Sequence, residues 1–481
     1  MGRQVSIRKN AVLSVIKQAL KIAFPLITFP YVSRVLLDEN FGKYNFAQSI
    51  INYFALLAGL GVAAYGVREG ARIREDAKKL NDFSNELFTI NLISTLFSYI
   101  AFFILCALWR RLDSYFELLL ILSGVILFNT LGADWINSIY EDYEYMTVRY
   151  IFVKVLALIL IFLLIKKKED YVIYGAIMAG TDMLANFINI FYIRRYTQIR
   201  IVKPNFKKHI LPLLVLFANT IAITIYTNSD ITMLGILKND SVVGIYSVAS
   251  KMNQIVKNLI NAIIIVIIPR LATYIGSNEN DKYNLLLQKT IKAIITFMFP
   301  VIAGMFMLSK EITQLLGGAT YQDGFRALRI LSIALIPAAF SSIFFDGILI
   351  VNRREKYCLL ATIISALVNI LLNLILIPKL SLDGAAFTTV VAEMCSCALA
   401  VYFARGYHNI NIGIDRDIIS VIIGTAAVIL VCLLNRLWIS GFGMVAADVI
   451  MAAAVYAVIQ LLLKNSAVME IIGAAMKKLT R

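Results

Sequence analysis

Ser247, Lys251, Gln254, Asn258 and Asn261 recur at intervals of four, three, four and three residues within an otherwise apolar stretch. At about 3.6 residues per turn this spacing puts all five on one helix face, as a polar stripe about 20 Å long. Lys257 lies beside it. An earlier stretch repeats the pattern with Asn45, Gln48, Ser49 and Asn52, the first apolar stretch adds Ser14, Lys17, Gln18 and Lys21, and the seventh adds Asn219, Tyr226 and Asp230. A lysine at the centre of a membrane-spanning helix costs about 2.5–3.5 kcal/mol on insertion scales, so such residues face a bundle interior or water. Two chemistries follow. The stripes glue helices together, with Lys251 neutralised by Asp230, or they line a wet cavity in which ammonium groups attract an anion and amides bind hydroxyls. Contacts between spanning helices are mostly made by small residues, so five polar residues in register favour the cavity.

The charges inside apolar stretches give that cavity a sign. The basic set is Lys17, Lys21, Arg34, Lys154, Lys251, Lys257, Lys292 and Arg329; the acidic set is Asp134, Asp182, Asp230, Asp346, Glu393 and Asp448. Lys292, Arg329 and Lys17 sit close enough to span ends to snorkel to the interface. The remaining cations suit an anionic substrate such as a phosphate or pyrophosphate headgroup. Candidate substrate contacts are therefore Lys17, Lys21, Arg34, Asn45, Asn52, Lys251, Gln254, Lys257, Asn258 and Asn261. Asp134, Asp230 and Asp346 are candidates for coupling to H+ or Na+, or else structural partners and polar end-caps.

The elements that must position these residues are membrane helices. Of 481 residues, 60% are hydrophobic and only 16% charged, with a mean hydropathy of +0.78, whereas a soluble domain carries about 25% charged residues. Fourteen candidate spans are predicted near 11–36, 44–65, 86–109, 116–140, 148–166, 171–193, 210–235, 242–268, 290–309, 326–352, 357–377, 384–403, 417–437 and 443–463. The connecting segments leave no room for a soluble catalytic domain. The basic N-terminus and first span read as a retained helix, with no cleavage-site pattern. With alternating sides, cytoplasmic loops and tails hold 27 Lys and Arg, external loops 11 and spans 8, which satisfies the positive-inside rule with both termini cytoplasmic. Lys166 to Lys168 is the one dissenting loop. The net charge of +16 is thus topogenic rather than a nucleic-acid signature. Anionic lipid is a further expected partner for Arg194, Arg195, Lys203, Lys207 and Lys208.

No G-x-x-x-x-G-K-[ST] or H-E-x-x-H pattern is present, so neither an ATP-driven motor nor that type of zinc site is encoded. His209 and His408 read as isolated loop residues, and the five cysteines as packing groups. Asp415-Arg416-Asp417 has the D-x-D spacing by which some glycosyltransferases hold a metal and a nucleotide sugar, but nothing around it completes a site. No resident cofactor or metal is expected.

The chain also repeats itself. An offset of 202 superimposes Gly42-Lys43-Tyr44-Asn45-Phe46-Ala47 on Gly244-Ile245-Tyr246-Ser247-Val248-Ala249, and Arg68 on Arg270. At 212, Asp134 meets Asp346 and Tyr145 meets Tyr357; at 209, Gly175-Ala176 meets Gly384-Ala385. Collinear offsets of this kind mark two copies of a six-span unit. Six is even, so the copies are parallel, related by an axis along the membrane normal, an arrangement that puts a substrate between halves. The predicted architecture is an all-α polytopic bundle with an N-lobe at 1–200, a C-lobe at 201–405 and two additional helices with a basic tail at 406–481. Arg194 to His209 is the expected linker. Pro25 and Pro30 in the first span, and Pro300 and Pro337 in spans 9 and 10, are expected to bend their helices.

Phe29-Pro30-Tyr31-Val32-Ser33-Arg34-Val35-Leu36, then Phe41-Gly42, Leu60-Gly61, Val67-Arg68-Glu69 and Val243-Gly244-Ile245-Tyr246 with Lys251 resemble the bacterial polysaccharide-transport (Wzx-type) flippases of the multidrug/oligosaccharidyl-lipid/polysaccharide exporter (MOP) superfamily. The resemblance covers nearly the whole chain and is weak beyond residue 405. The family usually continues its arginine phrase with Leu-Gly, where this chain has Leu37-Asp38. The resemblance implies a two-lobed, MATE-like helical bundle in the bacterial cytoplasmic membrane. It implies transport of an undecaprenyl-pyrophosphate-linked glycan to the outer leaflet by alternating access on an ion gradient, with a polysaccharide polymerase and chain-length proteins as possible partners. A cation-coupled multidrug exporter, a peptidoglycan-precursor flippase and a membrane glycosyltransferase at Asp415 and Asp417 are the alternatives.

Overall fold

The computed structural model describes residues 7–410, 413, 415–438 and 442–479; the side chains of 7–18, 21, 22 and some residues near 440 and 475 are outside the description. Every described element is helical: α1 (Ile7–Gly59), α2 (Val62–Ile73), α3 (Ala77–Leu108), α4 (Phe116–Gly132), α5 (Trp135–Ile139), α6 (Tyr143–Leu164), α7 (Tyr171–Tyr192), α8 (Phe206–Leu237), α9 (Asp240–Gly276), α10 (Asn280–Met307), α11 (Ser309–Gly317), α12 (Phe325–Ser342), α13 (Glu355–Ala404), α14 (Arg416–Trp438), α15 (Phe442–Leu462) and α16 (Ser466–Leu479). Hydrocarbon offers no partner to a backbone amide, so a chain this apolar must close its hydrogen bonds within each segment. The protein is a multi-pass membrane protein.

Twelve described helices are long and apolar enough to cross a bilayer, and two of them, Ala23–Ile73 and Glu355–Ala404, span 51 and 50 residues. About 20 residues suffice for one crossing. Each of the two contains a residue that breaks the helical path: Leu37 at φ 62°, ψ 174° and Ser381 at φ 54°, ψ −130°. Division at these points is consistent with fourteen spans. The first helix runs through Pro25 and Pro30 and breaks only at Leu37, the residue at the family's Leu-Gly phrase. Span 10 ends differently, with a π-helical stretch, Ile343–Ile350, continuing α12.

The repeat seen in the sequence has a physical counterpart. A Cβ on Gly42 would lie 1.7 Å from the Asp240 carbonyl oxygen, and a Cβ on Gly244 would lie 2.0 Å from the Asp38 carbonyl oxygen. Asp38 and Gly42 are the 202-offset partners of Asp240 and Gly244, so the two copies of the motif cross reciprocally, each glycine seated on the other's backbone. Only glycine permits that approach. The Ser241 hydroxyl donates to Asp38, and the Tyr115 hydroxyl donates to Asp240 Oδ1 at 2.6 Å.

The chain divides into two units, Met1–Gly244 and Ile245–Arg481. Span 7, which the repeat counts with the second copy, lies in the first unit. The core of that unit is built from Val62, Tyr65, Leu80, Phe83, Leu87, Trp135, Ile136 and Ile193. In the second unit Leu271, Tyr283, Leu287, Phe344, Ile348 and Ala400 pack together. The additional helices are fixed to α10 through polar contacts: Lys292 pairs with Asp415 and with Asp417 (3.1 Å), and Tyr456 donates to the Thr296 carbonyl at 2.5 Å. Lys292 therefore does not snorkel, and its ammonium holds the Asp415 carboxyl below the usual carboxylate range. These ion pairs occupy both carboxylates of the D-x-D triplet.

Candidate functional site

Helix α9 carries the predicted stripe. Ser247 is buried near its start; Lys251 and Asn261 are half-buried, and Gln254 and Asn258 are exposed. Lys251, Gln254, Asn258 and Asn261 form no hydrogen bond or ion pair among the described residues. Over about 15 Å of helix, on a helix long and apolar enough to cross a membrane, these groups face outward from the protein's own hydrogen-bonding network. Hydrocarbon cannot satisfy them; water or a polar ligand can.

Lys257 behaves differently. Its ammonium forms an ion pair with Glu393 on the second half of α13, and the Glu393 side chain is only 5% exposed. Lys154 is matched by Asp182 at 2.8 Å, between α6 and α7. Arg329 donates to the Ser309 hydroxyl at 2.9 Å and lies over the rings of Phe306 and Phe325. With Lys292 paired as well, three of the eight in-span cations are neutralised by acidic partners, and among the described in-span lysines Lys251 has no acidic partner.

In the first unit, the stripe on the second half of α1 is partly structural. Asn45 donates to the Phe41 carbonyl of its own helix at 2.7 Å. Gln48 donates to Asn52, and Asn52 donates to Asn228 on α8 at 3.1 Å; the Thr232 hydroxyl lies 3.0 Å from that of Ser49 and 3.2 Å from that of Tyr53. Asn228 and Thr232 were missed as partners, although their four-residue spacing is the complement of Ser49–Asn52 across two packed helices. Arg34 is exposed. Lys17 and Lys21 lie outside the described residues.

The three aspartates separate. Asp134, between α4 and α5, accepts both its oxygens' contacts from Arg149 Nη2 at 2.6 Å and one from Asn189 at 2.9 Å. It is a partner of arginine, not a bare acid. Asp346, its repeat counterpart, has Ala361 where the repeat would put an arginine; it sits half-buried in the π-helical stretch with no hydrogen bond or ion pair among the described residues. Such π-helical turns are frequent at functional positions. Asp230 is half-buried on α8.

His209 corrects the reading of an isolated loop residue. It lies inside α8, fully buried, where Nε2–H donates to Glu86 at 2.7 Å and Nδ1 pairs with the Tyr65 hydroxyl at 3.0 Å.

Comparison with known proteins agrees with this architecture. The protein is similar to an O-antigen transporter of Escherichia coli (strain K12), 20% identical over 84% of this chain and 97% of the relative. It is also similar to a low-salt glycan biosynthesis flippase of Haloferax volcanii, 24% identical over 39% of each chain. Among solved structures, the lipid II flippase MurJ in an inward closed conformation matches with a TM-score of 0.74 at 16% identity, over 95% of this chain and 98% of the other. An inward-facing multidrug resistance MATE transporter of the MOP superfamily matches with 0.61 at 17% identity, over 82% and 97%. The MatE family model matches residues 216–375. The model described as polysaccharide biosynthesis protein matches residues 7–275, more than half of the chain. The chain therefore belongs to the polysaccharide biosynthesis protein family, with the MOP-type helical fold.

Proposed function

We propose that this protein is a flippase that carries a lipid-linked oligosaccharide across the bacterial cytoplasmic membrane, with both termini in the cytoplasm. The lipid carrier is undecaprenyl pyrophosphate. Lys251 meets the pyrophosphate as a point charge, and Gln254, Asn258 and Asn261 hydrogen-bond glycan hydroxyls along the α9 stripe. What carries the reading is that these four side chains have no partner among the described residues within a membrane helix, so the bilayer location is tolerable only beside water or a polar ligand. Transport proceeds by alternating access on an H+ or Na+ gradient. Asp346, free of the arginine that occupies Asp134, is the favoured coupling acid. A polysaccharide polymerase and chain-length proteins would act on the product.

The test is surface polysaccharide assembly in cells whose own copy is deleted. Lys251→Ala should abolish polymer while the protein remains inserted at its normal level, and Lys251→Arg should retain part of it. Normal polymer with Lys251→Ala removes the assignment. The MatE match keeps a cation-coupled drug exporter in view, but a cationic drug is repelled by an uncompensated lysine, and that reading predicts drug resistance instead of polymer.

A further inference from the structure

The segment joining spans 6 and 7 has its backbone held along one side of α3. Asn81 Oδ1 accepts from the Thr197 hydroxyl at 2.8 Å and from the Gln198 amide at 2.9 Å. Asn85 Oδ1 accepts from the Arg200 amide at 2.8 Å, and Thr89 Oγ1 from the Val202 amide at 3.1 Å. Asn81, Asn85 and Thr89 are spaced by four, so they form a single ladder on one helix face. The ladder ends at the buried His209, held by Glu86 and Tyr65. Ile193, Tyr196 and Ile199 pack into the core of the same unit. A segment whose amides are caught this way is a tether, not a free hinge. The second unit repeats the device in reduced form: the Asn409 amide, beyond span 12, donates to Asn284 of α10 at 2.8 Å.

The tether displays one kind of charge. Between residues 194 and 208 there are six basic residues, Arg194, Arg195, Arg200, Lys203, Lys207 and Lys208, and no acidic one. All six are exposed, and none enters an ion pair among the described residues. The neighbouring loop between α2 and α3 is the contrast: its Arg72, Arg74 and Lys79 are matched by Glu69, Glu141 and Asp76. Exposed apolar side chains interleave with the cations, Ile201 at 71% and Phe206 at 44%. Arg194 and Arg195 are steadied over the rings of Phe191 and Tyr192, 5.2 and 4.7 Å from the ring centres. Since α7 ends at Tyr192 and α8 begins at Phe206, the surface lies where spans leave the bilayer.

We propose that the tethered segment 194–208 is a preorganised binding surface for anionic phospholipid headgroups, with apolar side chains entering the acyl boundary between the cations. Each basic residue near an anionic surface contributes appreciably, and holding the segment in place removes the ordering cost that a loose loop would bear.

The experiment titrates purified full-length protein in detergent with phosphatidylglycerol and reads bound lipid by native mass spectrometry. Arg194→Gln/Arg200→Gln/Lys203→Gln should weaken retention by about tenfold or more, whereas Arg72→Gln/Arg74→Gln/Lys79→Gln, with the same loss of formal charge, should leave it within about twofold. Equal loss in both variants, or equal retention of phosphatidylcholine, overturns the site. Asn85→Ala/Thr89→Ala keeps every charge; several-fold weaker retention supports the preorganised tether, and unchanged retention overturns it. The readout does not depend on transport, so it stands or falls separately from the role given to Lys251.

Discussion

At the scale of single residues, the fate of each charge in the bilayer is decided by whether a partner reaches it. Glu393 is buried and faces Lys257, so Glu393→Gln leaves an ammonium without compensation at a cost of about 3 kcal/mol, the low end for breaking a buried pair because the Lys257 side chain is 27% exposed. Replacing both, as Lys257→Met/Glu393→Leu, should restore most of that loss. Fluorescence-detected size exclusion after heating in detergent ranks the three proteins; a double variant no better than Glu393→Gln would refute the compensated pair. The α9 stripe was legible because its periodicity is local, within 14 residues. The Lys257–Glu393 pair was not, because its partners are 136 residues apart and nothing in the sequence says which acid meets which base. For the same reason the sequence gives the cavity more cations than the structure leaves unpaired.

At the scale of elements, hydropathy makes the spans legible, while the breaks within them follow rules that composition does not expose. Prolines remove a helical hydrogen bond, but in a long membrane helix neighbours can make good that loss, and α1 passes Pro25 and Pro30 before turning at Leu37. Positive φ is costly for leucine, so Leu37 is held by its surroundings. The reciprocal glycine crossing supplies them: Asp38 and Asp240 each lie against the opposite glycine. Gly42→Ala should therefore force the starts of two spans apart and destabilise the protein by about 1–3 kcal/mol or more. Gly59→Ala, where a Cβ meets nothing within 4 Å, should be neutral. Yield and thermal stability of the purified variants separate the two positions, and equal behaviour would mean the crossing tolerates a side chain.

At the scale of the whole molecule, the two helical breaks determine topology through parity. If either 50-residue helix crossed the bilayer once rather than twice, every later loop would change sides. A single crossing at the first reverses the positive-inside balance for the segment that carries the greatest uncompensated charge, residues 194–208, and a single crossing at the second does so for the basic C-terminal tail. Division at both Leu37 and Ser381 keeps that segment and the basic C-terminal tail on one side, and leaves Lys166–Lys168 as a basic loop on the other, a loop whose Lys166 and Lys167 amides are engaged by Asp170 at 2.8 Å each. Asp170 is correspondingly held below the usual carboxylate range by those amides, and Glu169 and Asp170 place two carboxylates beside the three lysines. In a cysteine-free background, Lys167→Cys should react with an impermeant maleimide in intact cells, whereas Gln198→Cys should react only after permeabilisation, and a C-terminal fluorescent fusion should fold in the cytoplasm. The reversed pattern, with Gln198→Cys labelled in intact cells and Lys167→Cys only after permeabilisation, would return the Leu37 break to a continuous span, and a dark C-terminal fusion with Gln198→Cys still protected would do the same for Ser381.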